Sequence, residues 1–74
     1  MEKTYKALRK VMAINDMSSA DIGRRLMLTQ QSISNRMSGR SPWRIDEMYS
    51  IMELFGLPHD QLHIYFPPDG GRTH

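Results

Sequence analysis

Cysteine is missing from these 74 residues. That excludes disulfide staples and thiolate-bound zinc, and it fits a reducing compartment. No apolar run approaches the ~20 residues needed to span a bilayer. The opening Met1-Glu2-Lys3-Thr4 has none of the hydrophobic stretch of a secretory leader. A cytoplasmic protein without membrane contact is the expectation. No segment alternates with period two over a useful length, so no sheet is expected, and no internal repeat is visible. The chain also lacks a nucleophile elbow, a phosphate-cradling glycine loop and an acidic pair in an apolar pattern. Neither catalysis nor a cofactor is therefore expected. His59 and His63 have the i, i+4 spacing of metal ligands, but no third ligand is evident. They read better as surface histidines, with no metal.

The charge is unevenly spread. Nine of the ten Lys and Arg lie between Met1 and Arg44, against three acids, whereas Ile45 to His74 holds one Arg and five acids. The net charge of +2 hides this asymmetry. A basic half beside an acidic half implies that one end meets a polyanion, unless the imbalance is only a solvated surface.

The apolar spacing predicts helices throughout. Tyr5, Leu8 and Met12, with Val11 beside them, form one stripe of a first helix over about Lys3 to Asn15. Lys3, Lys6, Arg9 and Lys10 occupy the other face. Ser18 followed by Asp21 resembles a capping box opening a second helix, with Ile22 and Leu26 facing inward. Gly23, mid-helix, costs ~1 kcal/mol relative to Ala. It marks either a close crossing by another helix or an unselected weak spot. Thr29 is the natural N-cap of a third helix, in which Ile33 and Met37 point inward and Gly39 is the terminator. A loop, Arg40-Ser41-Pro42-Trp43-Arg44, precedes a fourth helix over about Ile45 to Phe55. Its stripe is Ile45, Met48, Met52 and Phe55, with Ile51 flanking. Asp46 and Glu47 fall in the first turn, where the helix dipole favours acids. Pro58 opens a short last helix to about Ile64, with Leu62 its clearest inward residue. Residues 1–66 are expected to form one all-α, five-helix domain, and 67–74 a flexible tail.

The third helix carries the functional signal. A turn of 100° per residue from Ile33 and Met37 places Gln31, Ser32 and Asn35 outward, with Ser34 and Ser38 on the shoulder. Gln30, in the first turn, can reach past the helix end. These side chains hydrogen-bond well and carry no charge, which suits reading base edges more than neutralising phosphates. Glutamine can donate to N7 and accept from N6 of adenine, so A·T pairs are favoured, though Gln also contacts other bases. Ser18 and Ser19, with the backbone N–H groups that open the second helix, can hold a phosphate. Arg40 and Arg44 would add backbone contacts, with Lys6 or Arg24 as further candidates.

The segment Ser18 to Gly39 resembles the helix-turn-helix of the lambdoid phage repressor and Cro family. Thr29-Gln30-Gln31-Ser32-Ile33 is similar to the opening of that family's recognition helix, and Phe55-Gly56-Leu57-Pro58 fits its end. The resemblance covers about residues 3 to 66, and the stretch from Ser38 to Phe66 is similar to small phage or mobile-element regulators. It implies a lambda-repressor-like DNA-binding domain with a recognition helix at about 30–38. Gln30, Gln31 and Asn35 match base-reading positions, with Ser34 adjacent. Ser19 matches a phosphate-contacting position, and Arg40, Ser41 and Arg44 lie in or beside a backbone-touching loop. It further implies a homodimer on a pseudo-palindromic double-stranded operator. Tyr49, Leu54, His63, Tyr65 and Phe66 in the C-terminal part are the candidates for its surface, Tyr65 and Phe66 equally for folding back on the core. Trp43 reads better as a lid over the junction of helices 3 and 4 than as a DNA-stacking group.

Two departures stand out. The family commonly has Gly in the turn, where this chain has Met27. This implies either a non-Gly residue at positive φ or a different turn. Relatives often pair an Arg of helix 1 with a Glu of helix 3; the matching positions here are Met12 and Met37, an exchange that can be neutral or stabilising. Relatives usually carry Ala at the Gly23 position. An antitoxin or a protein-interaction module on the same fold is the alternative, since fold alone does not fix function.

Overall fold

A computed structural model describes residues 4–71. They are all-helical, with no strand among the described residues. Helices α1 (Lys6–Ile14), α2 (Ser19–Leu26), α3 (Gln30–Met37) and α4 (Ile45–Leu54) are followed by a 3₁₀ turn, His59–Gln61, that runs into the single-turn α5 (Leu62–Tyr65). The last helix expected from Pro58 is thus a 3₁₀ turn joined to one α-turn.

The local signals behave as their chemistry dictates. The Ser18 hydroxyl accepts from the Asp21 N–H at 3.3 Å and the Asp21 carboxylate accepts from the Ser18 N–H at 2.9 Å, completing the capping box of α2. The Thr29 hydroxyl accepts from the Ser32 N–H at 3.1 Å and starts α3. Gly39 follows the end of α3 with φ 86°, a conformation glycine adopts without Cβ strain.

Between those caps lies the α2–α3 turn, with α2 packed chiefly on α3. Met27 ends α2 in the left-handed region, φ 59° and ψ 40°, with 92% of its surface exposed. The turn therefore holds a non-glycine residue at positive φ, the first of the two alternatives the sequence left open. What approaches Gly23 is not another helix but this turn. A Cβ at Gly23 would stand 2.6 Å from the Leu28 carbonyl oxygen, and the Gly23 carbonyl accepts from the Leu28 N–H at 2.7 Å.

Leu8 of α1, Ile22 of α2, Ile33 of α3 and Ile51 and Met52 of α4 are the largest fully buried side chains. Removing each from water contributes about 1.5–3 kcal/mol. Met12 and Met37 are buried in the same cluster. Trp43 closes it from the α3–α4 loop, edge-on to Tyr5 at 6.3 Å and to Phe66 at 5.4 Å between ring centroids. This places Trp43 inside the molecule and out of reach for base stacking. Phe66 is core as well, which removes it from the candidate dimer surface.

Three expectations are corrected. First, Ile45 drops out of the expected α4 stripe: it is 60% exposed, while Glu47 is buried. Met48, Met52 and Phe55 of that stripe, with Ile51 beside them, do face the core, and Glu47 is held inward by Arg36. Second, Arg9 is not on the solvated face of α1. Its guanidinium donates to the Thr4 carbonyl at 2.6 Å and the Met37 carbonyl at 3.0 Å, and the Thr4 hydroxyl donates to the same Met37 carbonyl. A cation thus meets the carbonyl end of α3, where the dipole favours it. Third, residues 67–71, expected within a flexible tail, fold back. The Tyr5 N–H donates to the Gly70 carbonyl at 2.8 Å, and Gly70 is buried. A Cβ on Gly70 would fall 2.8 Å from Thr4 Cβ, so only glycine allows this approach. Lys3 and the remainder of the expected tail, 72–74, lie outside the described residues.

Candidate nucleic-acid interface

The candidate site is built on α3. Ile33 and Met37 anchor its inner face in the core. That anchoring turns Gln30 and Gln31 fully outward and leaves Ser34 and Asn35 half-buried along the same side. No acid lies in the first turn of α3, so no carboxylate there opposes a phosphate backbone. The Thr29 hydroxyl donates to the Ser32 hydroxyl at 2.9 Å, keeping Ser32 at the cap. The Gln31 side-chain amide donates to the Asn35 side-chain oxygen at 3.0 Å.

Asn35 also organises the loop that follows. Its backbone carbonyl accepts from the Arg40 N–H at 2.9 Å and the Ser41 N–H at 3.2 Å, and from the Ser38 hydroxyl at 3.0 Å. The start of the 40–44 loop is thereby fixed to the same residue that bears one of the outward amides. Arg40 and Arg44 are exposed and Ser41 is half-buried. Arg44 stands 3.5 Å from Asp46, both widely exposed, an ion pair that contributes little in water.

The serines at the start of α2 differ from each other. Both donors of Ser18 are engaged by one carboxylate: its N–H and its hydroxyl each donate to Asp21 at 2.9 Å. The backbone bond from Ser18, then its hydroxyl, then the charges of Arg24 and Arg25 hold the Asp21 carboxyl below the usual carboxylate range. An anion thus already occupies this helix end. Ser18 acts as the cap, and Arg24 is paired with Asp21. Ser19, at the first helical position, is half-buried. Lys6 and Arg25 are exposed cations on α1 and α2.

One group the sequence did not single out holds α3 from behind. The Arg36 guanidinium donates to both carboxylate oxygens of Glu47, at 2.9 and 3.3 Å, and to the Ser32 carbonyl at 3.1 Å. Glu47 also accepts from the Arg44 N–H at 3.0 Å. The recognition-helix candidate is in this way clamped to the start of α4. The sequence signal for it was a glutamate at i, i+4 with Ile51, which places an acid on the inward side of α4.

Elsewhere, the rings of Tyr49 and His59 meet at a tilt of 56° with centroids 4.8 Å apart, and His59 lies 3.7 Å from Glu53. Among the described residues no group of three or more His, Asp or Glu is arranged to hold a metal ion. No helix there is long and apolar enough to cross a membrane. In comparisons with known proteins, no family model, no curated protein and no solved structure matches this chain.

Proposed function

We propose that this chain is a sequence-specific double-stranded DNA-binding protein, a transcriptional regulator of the Cro and repressor type on a lambda-repressor-like fold. The observation that carries the reading is the outward face of α3: uncharged amides at Gln30, Gln31 and Asn35, no acid in its first turn, and the exposed cations Arg40 and Arg44 in the loop that follows. A helix end of this kind suits the major groove, where its first-turn side chains meet base edges. Arg40, Ser41 and Arg44 take the backbone phosphates, and Ser19 does so at the start of α2. Ser18 contributes through its cap, its own donors being held by Asp21.

One such domain reads only a few base pairs, which favours a homodimer on a pseudo-palindrome. Ile45 and Tyr49 of α4 and Ile64 of α5 are exposed large apolar side chains in the C-terminal half. They give that half a surface for a second copy, together with His63. The same residues would serve an unrelated protein partner, as in an antitoxin or interaction module.

Selection of bound duplexes from a random pool, followed by a gel shift across a salt series, tests the reading. An enriched half-site repeated with two-fold symmetry supports it. Equal binding to all duplexes, or none, overturns it.

A further inference from the structure

Between the α3–α4 loop and the returning chain that follows α5 lies a cavity of about 460 Å3, toward the lower end of the size range of small-ligand pockets. Its lining includes three aromatic rings, Tyr5, Trp43 and Phe66, which meet one another with centroids 5.4 to 6.3 Å apart. Arg40 and Ser41 line it from the loop, and Asp69 lines it from the returning chain. Nε1 of Trp43 is buried and has no hydrogen-bond partner, although buried donors are as a rule paired. The wall thus holds a donor that an acceptor admitted beside the indole would satisfy. The two charged lining groups are not equivalent. Asp69 is already engaged within the protein, and its charge acts on the Tyr5 phenol. The Arg40 side chain is exposed, and among the described residues no carboxylate lies within ion-pair distance of it. An anion in this cavity is therefore drawn to Arg40 and kept from the Asp69 end by like charge. An apolar body attached to that anion meets the aromatic rings.

We propose that this cavity is a regulatory ligand site for a small carboxylate with a single-ring apolar body, and that the bound carboxylate takes Arg40. The size of the cavity suits one ring, the aromatic lining suits its faces, and the guanidinium offers the paired donors that a carboxylate accepts. The regulatory half of the inference rests on the DNA-binding reading, in which Arg40 takes a backbone phosphate. The Asn35 carbonyl holds the Arg40 N–H at 2.9 Å, so the side chain meets either anion from one fixed point of the loop. A carboxylate held on the guanidinium competes with the phosphate. The ligand therefore acts as an inducer that releases DNA without touching the outward face of α3.

Phenylacetate is the probe, compared at matched ionic strength with acetate, which lacks the ring, and benzyl alcohol, which lacks the charge. The chain has a single tryptophan, so the fluorescence of Trp43 reports filling of the cavity with no DNA present. Phenylacetate is expected to bind saturably in the millimolar range. Benzyl alcohol on the parent protein, and phenylacetate on Arg40→Gln, are each expected to bind about tenfold more weakly, the worth of a hydrogen bond to a charged group. Arg40→Lys is expected to recover part of that loss. Arg40 is exposed, and circular dichroism checks that its variants keep their helices. No saturable change with phenylacetate, equal binding of benzyl alcohol, or an affinity unaltered in Arg40→Gln overturns the site. On the duplex enriched by selection, saturating phenylacetate is expected to weaken binding severalfold and to lower the salt slope by about one. Acetate is expected to do neither, and the Arg40→Gln protein is expected not to respond. Unchanged duplex affinity with the cavity filled overturns the inducer role. A pool that enriches no sequence overturns the DNA-binding reading and the inducer role with it, while the titration without DNA still decides the ligand site.

Discussion

Arg36 on α3 and Glu47 on α4 form a two-pronged ion pair, 2.9 and 3.3 Å, with only 16% and 9% of their side chains exposed. Eleven residues separate them in sequence. The pair does three things at once: it binds α3 to α4, it satisfies the Ser32 carbonyl inside α3, and it receives the Arg44 N–H that opens α4. The domain ties α3 to α4 by this ion pair, while Met12 of α1 and Met37 of α3 meet as apolar side chains in the core.

Removing one partner leaves the other uncompensated. Glu47→Ala is expected to destabilise the domain by about 3 kcal/mol, the lower end of the range for a broken buried pair. Arg36→Met with Glu47→Leu is expected to recover most of that loss, because neither charge is then stranded. Urea unfolding followed by the fluorescence of Trp43 gives both values. Equal destabilisation of the single and double variants would show that the charges themselves contribute the stability.

The α2–α3 turn gives a paired expectation of opposite sign. Gly23→Ala improves helix propensity but drives a methyl group to 2.6 Å from the Leu28 carbonyl oxygen, and is expected to destabilise by about 1–3 kcal/mol through overpacking. Met27→Gly relieves a left-handed residue, worth about 1–2 kcal/mol, against a smaller entropic loss from the added glycine. A net gain of about 0.5–1 kcal/mol follows, several degrees in Tm for a domain of this size. A calorimetric scan of each variant reads the outcome, and a Gly23→Ala protein as stable as the parent would refute the crowding.

Stability should fall at both ends of the pH scale for separate reasons. The Asp21 carboxyl is held below its ordinary range by Ser18 and then by Arg24 and Arg25. Its contribution is therefore complete above the usual carboxylate range and is lost as pH falls through the lowered value. Asp21→Asn should be less stable than the parent at neutral pH, with the difference closing on acidification. Burial, and then the charge of Asp69, pushes the Tyr5 phenol up. Its contribution is complete below the ordinary phenol range and lost as pH rises beyond it, so Tyr5→Phe should flatten the alkaline limb. Thermal melts from acid to alkaline pH measure both.

Amide and guanidinium side chains at the proposed interface should separate by salt and by sequence. Gln31→Ala is expected to relax sequence preference, at about 1–3 kcal/mol for each base interaction removed. Arg40→Ala is expected to weaken all duplexes alike and to lower the salt slope by about one. Binding isotherms on matched and mismatched duplexes at several salt concentrations distinguish them. Uniform weakening by Gln31→Ala would contradict the assignment of α3 as the reading helix.

The caps at Ser18 and Thr29, the inward pairs Ile22–Leu26 and Ile33–Met37, and the outward amides of α3 were legible from spacing alone. The inward position of Glu47 was not, because it reads as a solvated first-turn acid until Arg36 is known to face it. Arg9 likewise reads as one more surface cation of α1 until the Met37 carbonyl is brought beside it.

By itself the sequence determined that the chain forms helices, where α2 and α3 begin, and which side chains α3 leaves uncharged. Those properties depend on residues within a turn or two of each other, through the 3.6-residue period and through hydrogen bonds that span three positions. Tertiary structure alone decided that α4 turns Ile45 to solvent and Glu47 inward, and that the Gly70 carbonyl meets the Tyr5 N–H. Ion pairs and backbone bonds between distant segments form only when packing brings them together, and no local pattern encodes that approach.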